Sequence, residues 1–192
     1  KDQATSDQTT TLAWHVGTNA VDLLVGTSHY ETGNTAEPAL VRQNPQTGNL
    51  RPIAAMPDSV GPLALGERDG HPILFVGGRV RPGRYPEAAS SLLLVCRDGD
   101  WRSDQENTDR LRDIGLVSGA VWTDLDNDAD LELVLACDWG PLRVLRFEKG
   151  LLTDTTSRLG LDRYRGWWNG VTTGDFDGDG RLDLIATNWG RN

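Results

Sequence analysis

The sequence predicts an all-β chain built from repeated four-stranded antiparallel units. Three observations carry that reading. Two acidic loops share one spacing, the strand-like run after each loop recurs at a period near 50 residues, and four short apolar runs divide each full period.

The sharper loop is Gly174-Asp175-Phe176-Asp177-Gly178-Asp179-Gly180-Arg181-Leu182-Asp183. Counted from Asp175, carboxylates stand at positions 1, 3, 5 and 9, with Gly180 at position 6. Four carboxylates so close together repel one another unless a cation sits among them. Oxygen is the only ligand type on offer, which suits a hard cation, and the spacing points to calcium. The second loop places Asp124, Asp126, Asp128 and Glu132 at the same positions, with Asp130 at position 7. It departs from the first in two ways. Ala129 stands where Gly180 does, at a point that often needs positive φ, and the ninth residue is the longer glutamate. The bare alternative is an Asp/Gly turn without metal, since both residues favour turns anyway. An EF-hand is excluded, because it needs a glutamate at position 12 between two helices, and that position is Ala186 or Leu135.

The end of each loop runs into an aliphatic and β-branched segment, Leu182-Asp183-Leu184-Ile185-Ala186 or Leu131-Glu132-Leu133-Val134-Leu135-Ala136. These runs read as strands, so each loop joins two strands and its last ligand already lies on the second. Two earlier runs, Asp22-Leu23-Leu24-Val25-Gly26 and Ile73-Leu74-Phe75-Val76-Gly77, fit the same frame. The anchors Asp22, Ile73, Glu132 and Asp183 are 51, 59 and 51 residues apart. The first two repeats lack the acidic loop: Trp14 to Ala20 has no carboxylate, and Gly66 to Gly70 too few.

In the first repeat the strand runs are Thr10 to Val16, Val21 to Ser28, Ala39 to Arg42 and Leu50 to Ala55. In the second they are Gly61 to Gly66, Pro72 to Val80, Ser91 to Cys96 and Trp101 to Ser103. In the third they are Val117 to Leu125, Leu131 to Asp138, Leu142 to Phe147 and Leu151 to Thr155. Turn signals such as Asn44-Pro45-Gln46-Thr47-Gly48 and Arg97-Asp98-Gly99-Asp100 separate them, and no amphipathic helix is visible. Four strands per repeat at this period is the signature of a β-propeller. The predicted blades cover about 9–57, 58–112, 113–165 and an incomplete 166–192, all within a single partial domain 1–192.

The stretch Val171 to Leu184 resembles the FG-GAP/VCBS repeat, and Gly119 to Ala136 resembles it less closely. That family includes the propeller of integrin α subunits and many secreted bacterial proteins. The resemblance implies that the acidic loop joins the first and second strands of a blade and binds Ca²⁺, one or two ions in this chain. It implies Asp175, Asp177, Asp179 and Asp183 as ligands with the Arg181 carbonyl. In the other loop it implies Asp124, Asp126, Asp128 and Glu132 with the Asp130 carbonyl. Family propellers usually close with seven blades, which needs about 350 residues or more. This chain supplies about three and a half, so the remaining blades are expected from a longer polypeptide or from a second chain. A half-blade otherwise leaves an open strand edge.

The formal charge of −9 argues against a nucleic-acid partner, and no run is long and apolar enough to span a membrane. Nine of the 28 acids belong to the two loops, so part of the acidity is ligand supply. Location outside the cytoplasm, extracellular or periplasmic, is expected from the resemblance. Cys96 and Cys137 each end an apolar run and read as buried thiols, with an inter-blade bridge as the alternative.

The acidic loops read as structural fasteners, which leaves the opposite rim for a ligand. Asp138-Trp139-Gly140 and Asn188-Trp189-Gly190 follow the second strands of the last two blades, and Trp167-Trp168-Asn169 reads as the connection between them. His29 and Tyr30 follow the second strand of the first blade, and Arg79, Arg81, Arg84 and Tyr85 occupy a long loop of the second. Trp139, Trp167, Trp168, Trp189, Tyr30 and Arg81 are the candidate ligand residues, for a sugar or a protein partner. The alternative for the tryptophans is packing between blades, and Trp14, Trp101 and Trp122, which lie within strands, are assigned to core or blade packing. His15 and His29 fall in the first repeat and His71 in the second, without matched partners, and no nucleophile elbow or zinc-protease motif occurs. The expectation is a non-catalytic, calcium-stabilised binding module. The alternatives are part of an enzyme acting on polysaccharide, or a structural subunit of an extracellular assembly.

Overall fold

The structure, a computed structural model, describes residues 7–16, 20–31, 33 and 37–190. The turn through Gly17 that follows Trp14 lies partly outside the described residues. Among the described residues the chain is all-β apart from one short helix. In the first sheet, β1 (Asp7–His15), β2 (Val21–Ser28), β3 (Leu40–Gln43) and β4 (Leu50–Ala54) pair in chain order. The second repeats the pattern with β5 (Ser59–Arg68), β6 (His71–Val80), β7 (Leu92–Arg97) and β8 (Asp100–Ser103). The third begins the same way, with β9 (Leu116–Thr123), β10 (Glu132–Pro141), β11 (Arg143–Glu148) and β12 (Leu151–Asp154). All pairings are antiparallel, and the strands fall on the runs read from the sequence.

The third sheet does not end with its own strands. β13 (Arg165–Gly174) and β14 (Asp183–Asn188) form a hairpin, and β13 joins the third sheet through β10. β10 pairs with β9 from Glu132 to Asp138, and its last residues then pair with Arg165, Gly166 and Trp167 of β13. Trp167 and Trp168 are therefore strand residues, not the connection expected from the sequence. The Asn and Gly residues around them look turn-like, but pairing with the β10 extension holds the segment straight.

Alternation along the strands explains the core. In β6, Ile73 and Phe75 pack toward the third unit, while Leu74 and Val76 pack toward the first. A sheet covered on both faces needs apolar residues at every position, which is why this strand reads as a continuous hydrophobic run. Ala136, Leu142 and Trp168 make a third, smaller cluster against Val171, Leu184 and Ala186. The first strands of successive units touch in series, β1 to β5, β5 to β9 and β9 to β13. β9 and β13 approach so closely that a Cβ on Gly119 would lie 2.8 Å from the Gly170 Cα, so only glycine fits there.

One element was not expected. The helix α1 (Gln105–Arg110) follows β8, with the Asp104 carboxylate accepting from the Asn107 N–H at its N-terminus. Six mostly polar residues are too few to show helical periodicity. Its one buried residue, Asn107, ties the second unit to the third. Its Oδ1 accepts from Leu152 N–H at 2.7 Å, and its Nδ2 donates to the Gly150 carbonyl at 3.1 Å. Cys96 and Cys137 are buried free thiols in different clusters. No helix among the described residues is long and apolar enough to cross a membrane.

Candidate metal centres and aromatic rim

Both acidic loops are built on a shared plan of backbone hydrogen bonds, with one more donor to the first carboxylate in the later loop. In the later loop, Asp175 accepts from the N–H groups of Gly178, Asp179 and Gly180, and Asp183 accepts from Phe176. In the earlier loop, Asp124 accepts from Asp128 and Ala129, and Glu132 accepts from Leu125 at 3.0 Å. Asp130 and Arg181 donate their N–H groups to Asp128 and Asp179 respectively. The fold thus winds each loop around its first carboxylate and ties the ninth-position carboxylate back to the start. Positive φ falls at matching points, 60° at Asn127 and 69° at Ala129 against 79° at Gly178 and 84° at Gly180.

This winding gathers the carboxylates. One oxygen each from Asp124, Asp126 and Glu132 lie within 4.8 Å of one another, and so do oxygens from Asp175, Asp177 and Asp183. Asp128 and Asp179 belong to neither triplet. The donor set fits a hard cation, since it is all oxygen. Glu132 adds a sharper test. It is buried, and its Oε1 has no hydrogen-bond partner, although a buried carboxylate oxygen ordinarily has one. Burial pushes its carboxyl above the usual range against the opposing pull of the Leu125 N–H. An oxygen in that condition is suited to a cation.

The two loops differ in their surroundings. Arg146, from β11, reaches Asp126 at 3.3 Å and Asp128 at 2.8 Å. The Asp130 N–H and then Arg146 hold the Asp128 carboxyl below its ordinary range. Among the described residues, no ion pair reaches the carboxylates of the 175–183 loop. The first unit extends the series. Asp22, aligned with Glu132 and Asp183, is buried and held by Arg42 and by Asn44 Nδ2 at 3.1 Å. Where the acidic loop is missing, an arginine neutralises the carboxylate that is left.

The opposite ends of the strands carry aromatics. The Trp139 and Trp167 rings stack with centroids 5.1 Å apart, and Trp167 and Trp189 stack at 6.0 Å. Trp139 Nε1 donates to the Tyr85 hydroxyl at 2.9 Å, and the Trp189 N–H donates to the Trp167 carbonyl. Trp139, Trp167 and Trp189 remain 59%, 37% and 74% exposed, so the stack stands on the surface. Three residues of the expected ligand set stand elsewhere. Trp168 is buried in the third cluster, because neighbours on a strand face opposite ways. Arg81 is committed to Asp58 at 3.0 Å and Asp113 at 2.8 Å, and acts as a strut under the long loop of the second unit. Tyr30 is exposed on the first unit and stacks on none of these indoles. Trp14 and Trp122 are buried in the packing between units, and Trp101 lies against Trp14.

Residues 124–186 match the FG-GAP-like repeat, so the chain carries a repeat of that family spanning both acidic loops. No curated protein matches the chain.

Proposed function

We propose that the chain is part of a calcium-stabilised, secreted β-propeller that acts as a non-catalytic binding module, with its ligand face on the aromatic rim. The meander order of each unit and the side-by-side first strands support a radial arrangement of blades. The oxygen-only triplets and the free buried Glu132 oxygen support calcium as the fastener on one rim. The observation that carries the function is the exposed Trp139–Trp167–Trp189 stack on the other rim. Part of the indole surface is used to pin β10 to β13. The remaining open surface is large and amphipathic, the property that makes tryptophan prominent in binding sites. Neither carboxylate triplet among the described residues includes a histidine, and the loop carboxylates accept from backbone N–H groups, which favours binding over acid–base chemistry.

Arrays of glycans and of extracellular proteins, probed with the chain in calcium, test the reading. A ligand is expected whose binding falls in Trp167→Ala and Trp189→Ala while circular dichroism is unchanged. No ligand on either array, or one indifferent to both substitutions, would overturn it.

A further inference from the structure

A cavity of about 620 Å³ opens beside Trp139, where the ends of the third unit's strands meet the start of β13 and the second-unit segment around Pro86 and Ala88. Its size falls within the range of roughly 300–1,000 Å³ common to small-ligand sites. We propose that this cavity binds a neutral saccharide, with the Trp139 indole under the apolar face of a sugar ring and the Asp138 carboxylate accepting from its hydroxyls. The inference rests on the reading of the rim as the ligand face.

Trp139 is held in an unusual backbone state. It lies at φ 60° in a β-bulge between Asp138 and Gly140. Bulky residues avoid that region, and bulges re-aim side chains, often beside binding sites. Trp167 stacks on the ring, yet 59% of the residue stays exposed and it forms part of the cavity wall. An open indole beside a cavity suits the C–H face of a pyranose, which needs a flat apolar support.

Asp138 supplies the polar half. Its side chain is only 2% exposed, and its Oδ2 accepts from Arg79 Nη1 at 2.7 Å. Asp138 is part of the cavity wall, and its Oδ1, closed to solvent in this conformation, has no partner. Leaving a buried carboxylate oxygen without a donor is costly, and a ligand hydroxyl would satisfy it once a small side-chain shift opened the oxygen to the cavity.

Charge selects among ligands. The cavity carboxylates of Asp113, Asp138 and Asp154 are each paired with an arginine, respectively Arg81, Arg79 and Arg143. Asp162 and Arg165, also in the wall, are of opposite sign. Arg81 is shared with the buried Asp58, so the site has no surplus positive charge to draw a phosphate or a uronic acid, and an uncharged polyol is favoured over an anion.

Tryptophan emission and calorimetry on the calcium-loaded 192-residue chain provide the test. The probes are neutral gluco-, xylo-, manno- and galacto-oligosaccharides, with oligogalacturonate as the charged control. One neutral oligosaccharide is expected to saturate a single site. Trp139→Ala and Asp138→Asn should each weaken it at least about tenfold with circular dichroism unchanged. No neutral probe binding up to about 10 mM would overturn the inference, given what small ligands achieve in sites of this size. So would binding undiminished in Trp139→Ala, or a preference for oligogalacturonate. If the oligosaccharides fail while a protein ligand still depends on Trp167 and Trp189, the saccharide inference falls and the binding-module reading stands. If nothing binds, both fall.

Discussion

The two acidic loops share a spacing and a hydrogen-bond plan but handle their charge differently. The 124–132 loop sits against the third unit, with Arg146 on two of its carboxylates and Glu132 buried under it. The 175–183 loop is largely exposed, with glycines at both left-handed positions and no such arginine among the described residues. The loop with the cleaner motif is thus the one with less protein around it. A fixed guanidinium cancels part of the repulsion without any ion, whereas the later loop relies on backbone N–H groups. A motif reports ligand supply, and the surrounding fold decides how much of the loop's charge is already compensated.

The largest effect expected from this difference appears on chelation. Hydrogen exchange should show amides 183–188 of β14 losing at least about tenfold in protection, while amides 132–138 of β10 change by less than about threefold. Equal loosening of both strands would break the comparison. Glu132→Gln should have opposite effects with and without the ion. In calcium it should cost about 1.5–2 kcal/mol, and in chelator it should be neutral or stabilising, because it removes a buried charge with an unpartnered oxygen. Thermal melts in the two conditions check that reversal. Arg146→Met should lower the melting midpoint in chelator by roughly 2–4 °C, corresponding to about 1 kcal/mol for a two-pair surface network, with excess calcium restoring it. A midpoint unchanged in chelator would show that the guanidinium is no counter-ion. Ala129→Gly should stabilise the earlier loop by about 0.5–1 kcal/mol, because the residue sits at φ 69°. Denaturant unfolding would detect it, and a loss of stability would mean that the alanine methyl makes a contact that outweighs the strain.

Much of this organisation was legible in the chain. The strands lie where the aliphatic runs are, and Glu132 and Asp183 open β10 and β14 as expected from the loop spacing. The left-handed conformation at Ala129 was readable from the glycine in the sister loop. Arg146 was missed because it lies 14 residues beyond Glu132, and only strand pairing brings it back. The Leu133–Leu145 register puts it across the hairpin from Glu132, so the predicted strands held a usable signal. Trp168 was grouped with Trp167 because a connection was expected there. On a strand, adjacent residues part company, one to the rim and one to the core. Helix α1 left no trace, since its stability comes from the Asp104 cap and from Asn107 reaching into the third unit.

The sequence by itself determined the repeat, the strand positions and the two carboxylate ladders, because each is a local pattern of side chains along one segment. Tertiary structure alone decided which loop receives an arginine, which tryptophans reach the surface and where Asp138 keeps a free oxygen. Those outcomes depend on pairing between segments far apart in the chain: β10 leaving β9 to join β13, β11 returning Arg146 to the 124–132 loop, and Tyr85 meeting Trp139 from another unit. Local spacing sets what each segment offers, and inter-strand register sets what those groups meet.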